Sequence, residues 1–585
     1  MTKPSLPDVE TDILVVGSGA SALAAALTAA EYGARVLIVE SSHYYGGTSA
    51  TSGGVVWVPN NHLIAAAGGS DSEAEALTYI KGLVGDGASD ARILAFVRQA
   101  PRMLRFFAER CGIKFQSLKT YCDYHPENPG GKPGYRSCEA LPVKSDVLGR
   151  YAATLQPPHL GTVAFDRISW SVQEAHKLVT QGPGAKSTFL KIVLKYYLDI
   201  FQRFKTTRDR RLTCGAALVA RLMQSLMQRK AELRLSTALT DYIVEDGRVV
   251  GAVVSSDGMT QRIRATKGVI VGSGGFDRNQ QWRERYLPQP TSSAWAAGVP
   301  TNTGEPIAAA LRIGVAMGNM GSAWWSPGYK LSDEDRARPM FVERALPGCI
   351  MVDQGGKRFC NEAASYHVDG GVMAHGAGAG TAPAWFVFDA RYRGKYALGP
   401  LFPGPPKMDD WLKPSMKAVL RKSDTIGGLA RQMGVAPEVL EATIGRFNEM
   451  ARAGKDADFR RGESLVDRYY SDASVKPNPS LAPLTKAPFY ALPIVPCDLG
   501  TNGGILTDEF ARALTQDGAV LPGLYAVGNC SASVMGGAYP AAGATLGPGM
   551  TFGYVAARHA LGLRDELETP PRATATNKQD AVTMA

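Results

Sequence analysis

Gly17-Ser18-Gly19-Ala20-Ser21-Ala22, followed by a glutamate at position 40, are residue types spaced to hold a dinucleotide. The first glycine permits a tight turn, the second lets the backbone approach a pyrophosphate, and a small residue at the third position lets a helix pack on a strand. The Glu40 carboxylate, about twenty residues on, can accept from both ribose hydroxyls and would repel a 2′-phosphate. These groups act only if a strand, a turn and a helix place them.

Asp12 to Val16 (DILVV) is the apolar run of a buried strand. Ala20 to Tyr32 follows as a helix whose N-terminal N–H groups and positive dipole end face the phosphates. Arg35 to Val39 (RVLIV) is a second strand ending at Glu40. Ile13 to Ala30 runs eighteen residues without a charge, the length of a membrane span, but the Gly17–Gly19 turn interrupts it and favours a strand and a buried helix.

Later elements select FAD over NAD. Ser41 to Gly54 (SSHYYGGTSATSGG), with Ser41, Gly46, Gly47, Thr48, Ser49, Gly53 and Gly54, is a glycine- and hydroxyl-rich loop suited to wrapping a flavin's pyrophosphate and isoalloxazine. Gly268 to Asp277 (GVIVGSGGFD) is a strand ending in the Gly272-Ser273-Gly274 turn. Gly523 to Asn529 (GLYAVGN) repeats that design with Gly528 and Asn529, and Thr545 and Leu546 open a glycine-rich helix. A nicotinamide domain would be contiguous within roughly 150 residues. Here the elements span 17 to 550, so the chain leaves the flavin domain and returns to it. Non-covalent FAD is the expected cofactor.

At 585 residues the chain exceeds one compact core. Its net charge of +10 raises nucleic acid as a partner, but the basic residues are dispersed and carry no nucleic-acid motif, so none is expected. The eight cysteines form no CxxC pair, which argues against a metal site or a disulfide framework and fits a reducing compartment. No secretory signal is visible in MTKPSLPDVETD, and a cytoplasmic location is expected.

GSGASALAAA, the GGTSA after Glu40, IVGSGGF, NTGEPIAAALRIG (302–314) and LYAVGN…GATLGPGMTFGYVAARHA (524–560) together resemble the succinate dehydrogenase/fumarate reductase flavoprotein superfamily. Within it, Asp123-Tyr124-His125, Asn361-Glu362 leading to Tyr366, and Tyr539-Pro540-Ala541-Ala542-Gly543 resemble, in order, the active-site contexts of 3-ketosteroid Δ1-dehydrogenases. The resemblance implies Tyr366 as the base at C2 of a steroid or sterol-derived 3-ketone, with Tyr124 assisting it. It also implies that Tyr539 and the backbone N–H of Gly543 hold the C3 carbonyl. The chain departs from the pattern in reading YPAAG where the family has Y-P-G-P-G, and in carrying extra residues before about 212.

Desaturating C1–C2 removes a proton that the ketone acidifies and a hydride that a flavin accepts. Fixed donors at the ketone oxygen stabilise the enolate charge that develops. A phenol is a difficult base, with a reference pKa of about 10 that apolar burial raises; a neighbouring hydroxyl would give Tyr124 its purpose. His125 and His367 are candidates for the same relay, although structural roles are the expectation for both.

In fumarate reductases and succinate dehydrogenases the segment after the GN/GE turn supplies an arginine for a dicarboxylate; Pro540 stands in its place here. That favours an apolar keto substrate over a fumarate reductase-like activity. A 3-ketosteroid Δ4-(5α)-dehydrogenase is the nearest alternative, and an electron-transfer scaffold without its own substrate is a more distant one. A quinone-like external electron acceptor is expected to reoxidise the flavin.

Residues 186–212 (KSTFLKIVLKYYLDIFQRFKTTRDRRL) form an amphipathic insertion. At helical spacing Phe189, Ile192, Val193, Tyr196, Tyr197, Ile200 and Phe204 share a face, widened by Leu190, Leu194, Leu198 and Phe201 and bordered by Lys and Arg. Such a helix either packs on the protein or another subunit, or lies at the inner face of the cell membrane through about 186–205.

The expected architecture is α/β: a Rossmann-like FAD-binding domain of the fumarate reductase flavoprotein type (1–321 and 490–570) with an inserted α+β substrate domain (322–489). Helices are expected at Thr425 to Met433 and Pro437 to Ala453 within the insert. A hairpin is expected at 238–254, and a disordered tail at 571–585.

Overall fold

The computed structural model describes residues 6–376 and 382–563. The expected disordered tail lies outside them.

Ile13 to Val16 leave no more than 4% of their surface to solvent, as a strand buried on both faces requires. Their strand, Val9–Val16, pairs in parallel with Val36–Val39 on one side and Met259–Val271 on the other. The sheet runs Arg512–Leu514, Val520–Ala526, Met259–Val271, Val9–Val16, Val36–Val39, Glu232–Arg234. The chain thus brings its beginning, middle and end into one sheet, with the glycine turns after Val16, Val271 and Ala526 at the same edge, outside the carboxyl ends of parallel strands. That is where open α/β sheets bind ligands. The hairpin Ala238–Glu245 and Arg248–Ser256 continues from Met259–Val271 as an antiparallel layer.

The alanine-rich helix Ala20–Glu31 is buried along most of its length and lies against the helix Leu546–Ala560, itself buried from Gly547 to His559. Small side chains let these two backbones approach closely over the sheet.

A second, antiparallel sheet orders Arg338–Pro339, Ala323–Tyr329, Phe489–Thr501, Ala384–Asp389 and Cys349–Val352, with Arg421–Ser423 also on Phe489–Thr501. The helices Tyr366–His375, Ile426–Met433 and Pro437–Ala453 belong to this part of the chain. Thr425 caps the second by accepting from Gly428 N, which explains why its helix begins one residue after the expected start.

The insertion is not one continuous helix. Ala185–Leu198 ends at Asp199 (φ −80°, ψ 60°), and Ile200–Lys205 starts anew. Ile192 and Tyr196 are buried with Ala164 and Ile168, and Val193 packs on this cluster, whereas Leu194, Leu198, Phe201 and Phe204 are exposed. The expected single apolar face is therefore split between a protein-facing side and an exposed side. Among the described residues no helix is long and apolar enough to cross a membrane.

Candidate active site

A cavity of about 850 Å3 runs along the edge where the glycine turns meet. Gly17, Ser18, Gly19, Ser21, Glu40 and Ser41 line it, and so do Gly47, Thr48, Ser49, Gly53 and Gly54 from the loop that follows. Gly272, Ser273, Gly274, Gly528, Asn529, Thr545, Leu546, Tyr366, Tyr539 and Gly543 complete the set of expected residues in its wall. Ala20, Gly46 and Tyr124 lie one layer behind it. Ala20 N donates to Ser49 Oγ (3.0 Å) and Gly46 N to Ser18 Oγ (2.9 Å), so these two shape the cradle through their neighbours.

At one end the cavity has the features a dinucleotide needs. Gly17 has φ +99°, and a Cβ there would stand 2.5 Å from Gly272 O, so only glycine keeps the two turns in contact. Glu40 is buried, and burial pushes its carboxyl up, opposed by donors from Ser18, Ser42 and Ser41. Ser18 Oγ lies 2.6 Å from Oε2, and Ser42 N 2.9 Å from Oε1. Oε1 also accepts from Ser41 Oγ (3.3 Å), so Oε2 is the oxygen that keeps a lone pair for a further donor, which fits a ribose hydroxyl. Ser273 Oγ is buried with no partner among the described residues and belongs to a residue in the cavity wall. Thr48 Oγ1 accepts from Val299 N (3.2 Å) and Asn302 Nδ2 (3.1 Å), tying the loop to the NTGEP segment. FAD fits this end.

The other end is aromatic. Tyr366 is the first residue of the helix Tyr366–His375, capped by Ser365. Tyr124 lies in the loop between strands Phe115–Ser117 and Ser137–Ala140, and Tyr539 and Gly543 lie before the helix Leu546–Ala560. Tyr124 Oη donates to Tyr366 Oη at 2.8 Å. The Tyr366 and Tyr539 rings meet edge to face with centroids 5.6 Å apart, and those of Tyr124 and Tyr539 are 5.5 Å apart.

The loops are locked together by buried polar contacts. Pro540 O accepts from Tyr124 N (2.8 Å) and Tyr79 Oη (2.7 Å). Trp57 donates from its ring to Asp123 (2.9 Å) and from its backbone to Gly543 O (3.1 Å). Asp123 also pairs with Arg136, which is shared with Asp71, and burial pushes its carboxyl up to about 6 against that guanidinium. Gly543 has φ +91°, and a Cβ would meet Val55 O at 2.6 Å. Asn361 bonds Asp467, while Glu362 takes Arg358 and Arg461, fixing the segment that leads to Tyr366.

Burial raises both Tyr366 and Tyr539 above the usual phenol range, and at Tyr366 the bond from Tyr124 works against this. Among the described lining residues Arg312 is the one arginine, and it sits by Thr240 and Asp241, towards the Glu40 end. No cation faces the tyrosines from the described lining residues.

Two hydroxyls were not legible beforehand. Tyr121 lines the cavity, stands 3.5 Å from Tyr124 Oη and bonds Tyr470 Oη at 2.6 Å, extending the row of phenols. Tyr121 and Tyr470 are 349 positions apart, and no local spacing links them. His367 is engaged at both nitrogens, with Trp325 N and Gly537 O, and burial pushes it down to about 4, a structural role. His125 donates its backbone N–H to Tyr79 Oη. Among the described residues no cluster of His, Cys, Asp or Glu is arranged to hold a metal.

Residues 12–546 match the FAD binding domain family. Over 564 residues the chain is 41% identical to the 3-oxosteroid 1-dehydrogenase of Mycolicibacterium smegmatis, covering 94% of this chain and 96% of that protein. The chain belongs to this family of FAD-dependent 3-ketosteroid Δ1-dehydrogenases. A crystal structure of 3-ketosteroid Δ1-dehydrogenase from Sterolibacterium denitrificans, in complex with 1,4-androstadiene-3,17-dione, superposes with a TM-score of 0.90 at 42% identity, covering 95% of this chain and all of that one. The open conformation of a flavocytochrome c3 fumarate reductase shares the fold, with a TM-score of 0.61 at 21% identity, covering 95% of this chain and 79% of that one. FAD is accordingly the cofactor, on an α/β flavoprotein fold of the fumarate reductase type.

Proposed function

We propose that this chain is a 3-oxosteroid 1-dehydrogenase that introduces the C1–C2 double bond into a 3-ketosteroid, an enzyme of steroid breakdown. The observation that carries the reading is the 2.8 Å bond from Tyr124 to Tyr366 beside Tyr539, in a cavity end without cations.

Bound FAD supplies the hydride acceptor for C1. Tyr539 Oη and the Gly543 backbone N–H hold the C3 oxygen and stabilise the negative charge it gains as C2 loses its proton. Tyr366 takes that proton. Tyr124, already donating to Tyr366, stabilises the phenolate that must form first, and Tyr121 extends the row to the buried Tyr470. The apolar wall from Phe341, Pro339 and Leu499 matches a steroid skeleton better than a dicarboxylate. Adding 4-androstene-3,17-dione anaerobically to the oxidised holoenzyme should bleach the flavin band near about 450 nm; an unchanged spectrum would refute the reading.

A quinone-like compound is the external electron acceptor. The protein works in the cytoplasm, docked on the inner face of the membrane through 186–205. The support is the exposed set Leu190, Leu194, Leu198, Ile200, Phe201 and Phe204, with Phe201 83% and Phe204 85% exposed beside basic residues. Each such side chain gains about 1.5–3 kcal/mol on burial, and anionic lipid adds attraction for Lys and Arg. Deleting 186–205 should abolish co-sedimentation with anionic vesicles; undiminished binding would end this part of the account.

A further inference from the structure

The cavity wall made by Gly528, Asn529 and Thr545 has a second, smaller space of about 20 Å3 behind it. Its far side is Arg92, Asn502 and the first two turns of the Leu546–Ala560 helix, including Pro548, Gly549 and Phe552. Trp324 lines it too; its Nε1 donates to Asn529 Oδ1 (3.1 Å) and its ring lies 4.9 Å from that of Tyr539. The space therefore backs onto the tyrosine end of the cavity.

Arg92 belongs to the first turn of the helix Asp90–Glu109 and is 5% exposed. Nη2 donates to Ala532 O (2.9 Å), the guanidinium lies 5.3 Å over the Phe552 ring, and Nε is buried with no partner among the described residues. No carboxylate among the described residues forms an ion pair with it. Asp508 acts on it at longer range and is itself bonded to Arg512. Burial pushes the guanidinium down to about 10, and even so it stays protonated at neutral pH. A buried, unpaired cation is costly, and here it lies beside the positive end of a helix, so two charges of the same sign back one wall. That arrangement is favourable when negative charge arrives on the wall's other side.

We propose that Arg92 supplies the counter-charge that stabilises the reduced flavin, acting through the Gly528–Asn529–Thr545 wall. A hydride brings two electrons and one proton onto a neutral ring, which therefore gains one negative charge. Arg92 and the helix end favour that charged product over the oxidised ring and raise the potential at which the flavin accepts the substrate's hydride. The inference rests on the flavin ring occupying the tyrosine end.

The test is the flavin midpoint potential of wild-type, Arg92→Gln and Arg92→Lys holoenzymes, by anaerobic spectrophotometric titration without steroid. Arg92→Gln should hold reduced over oxidised flavin at least tenfold less well, a drop of about 30 mV for a two-electron couple. Arg92→Lys, which keeps the charge and loses the stacking, should stay close to wild type. An unchanged potential in Arg92→Gln, or an equal drop in both variants, would overturn the proposal whatever happens to turnover. Should Arg92→Gln fail to hold FAD, the wild-type potential between about pH 5 and 6, below the range in which the reduced ring of free flavin ionises, decides. One proton per two electrons gives about 30 mV per pH unit and supports a charged reduced ring, whereas two protons give about 59 mV and contradict it. Because steroid is left out, these results are independent of whether the wild type turns it over.

Discussion

Tyr124 and Tyr366 are 242 positions apart and come from different layers, yet the Tyr124 hydroxyl donates to Tyr366 Oη across 2.8 Å in a fully buried setting. Burial alone drives a phenol away from ionisation, and this bond is a force in the other direction. A base built from a phenol needs such a donor because the charged form accepts a stronger hydrogen bond than the neutral one. The surrounding locks, through Asp123, Trp57 and Pro540 O, hold the donor in place.

On the proposed mechanism Tyr366→Phe removes the proton acceptor, and it leaves the cavity volume nearly unchanged. The rate of flavin reduction by a 3-ketosteroid should fall by about 100- to 10,000-fold, the span of general acid–base catalysis. FAD content and melting temperature should stay near wild type, which stopped-flow absorbance and thermal unfolding would read.

Tyr124→Phe removes the donor without touching the acceptor. A hydrogen bond to a charged group contributes about 1.5–3 kcal/mol, so the same rate should fall about 10- to 150-fold. The loss should be smaller than for Tyr366→Phe.

The pH dependence has a definite sign. Burial raises Tyr366 above its ordinary value of 10.0, so across the neutral range its productive, deprotonated form is scarce. Flavin reduction should accelerate as pH rises toward that value with no plateau in the neutral range, and in Tyr124→Phe the profile should move to still higher pH. Stopped-flow rates across the alkaline range would check both.

Gly543→Ala places a methyl 2.6 Å from Val55 O and 2.7 Å from Trp57 N, on a backbone at φ +91°. The loop must shift, carrying the Gly543 N–H with it. KM for the steroid should rise and kcat should fall, and the protein should lose about 1–3 kcal/mol of stability; steady-state kinetics and denaturant unfolding would show it.

The gathering of Gly17, Gly19 and Glu40 in one cavity wall was legible because its rules are local. Gly17, Gly19 and Glu40 obey spacings set by one strand, one turn and one helix, and the strands appear within a few residues of where the pattern puts them. The bond from Ser18 to Glu40 was not legible, since it depends on how two turns pack. Tyr124, Tyr366 and Tyr539 could be named only through family contexts; no periodicity distinguishes them among 22 tyrosines. Tyr121 and Tyr470 had no such context. The break at Asp199 escaped because its neighbours keep helical spacing, while the split burial comes from the separate Ala164–Ile168 segment.

The position of the new double bond separates Δ1 from Δ4 chemistry. A saturated 5α-reduced 3-ketosteroid offers both C1–C2 and C4–C5 for desaturation, and NMR of the product distinguishes them. With the holoenzyme and an electron acceptor, olefinic protons are expected at C1 and C2, with formation slowed at least 100-fold in Tyr366→Phe. A C4–C5 alkene, or unchanged turnover in that variant, would contradict the proposed function.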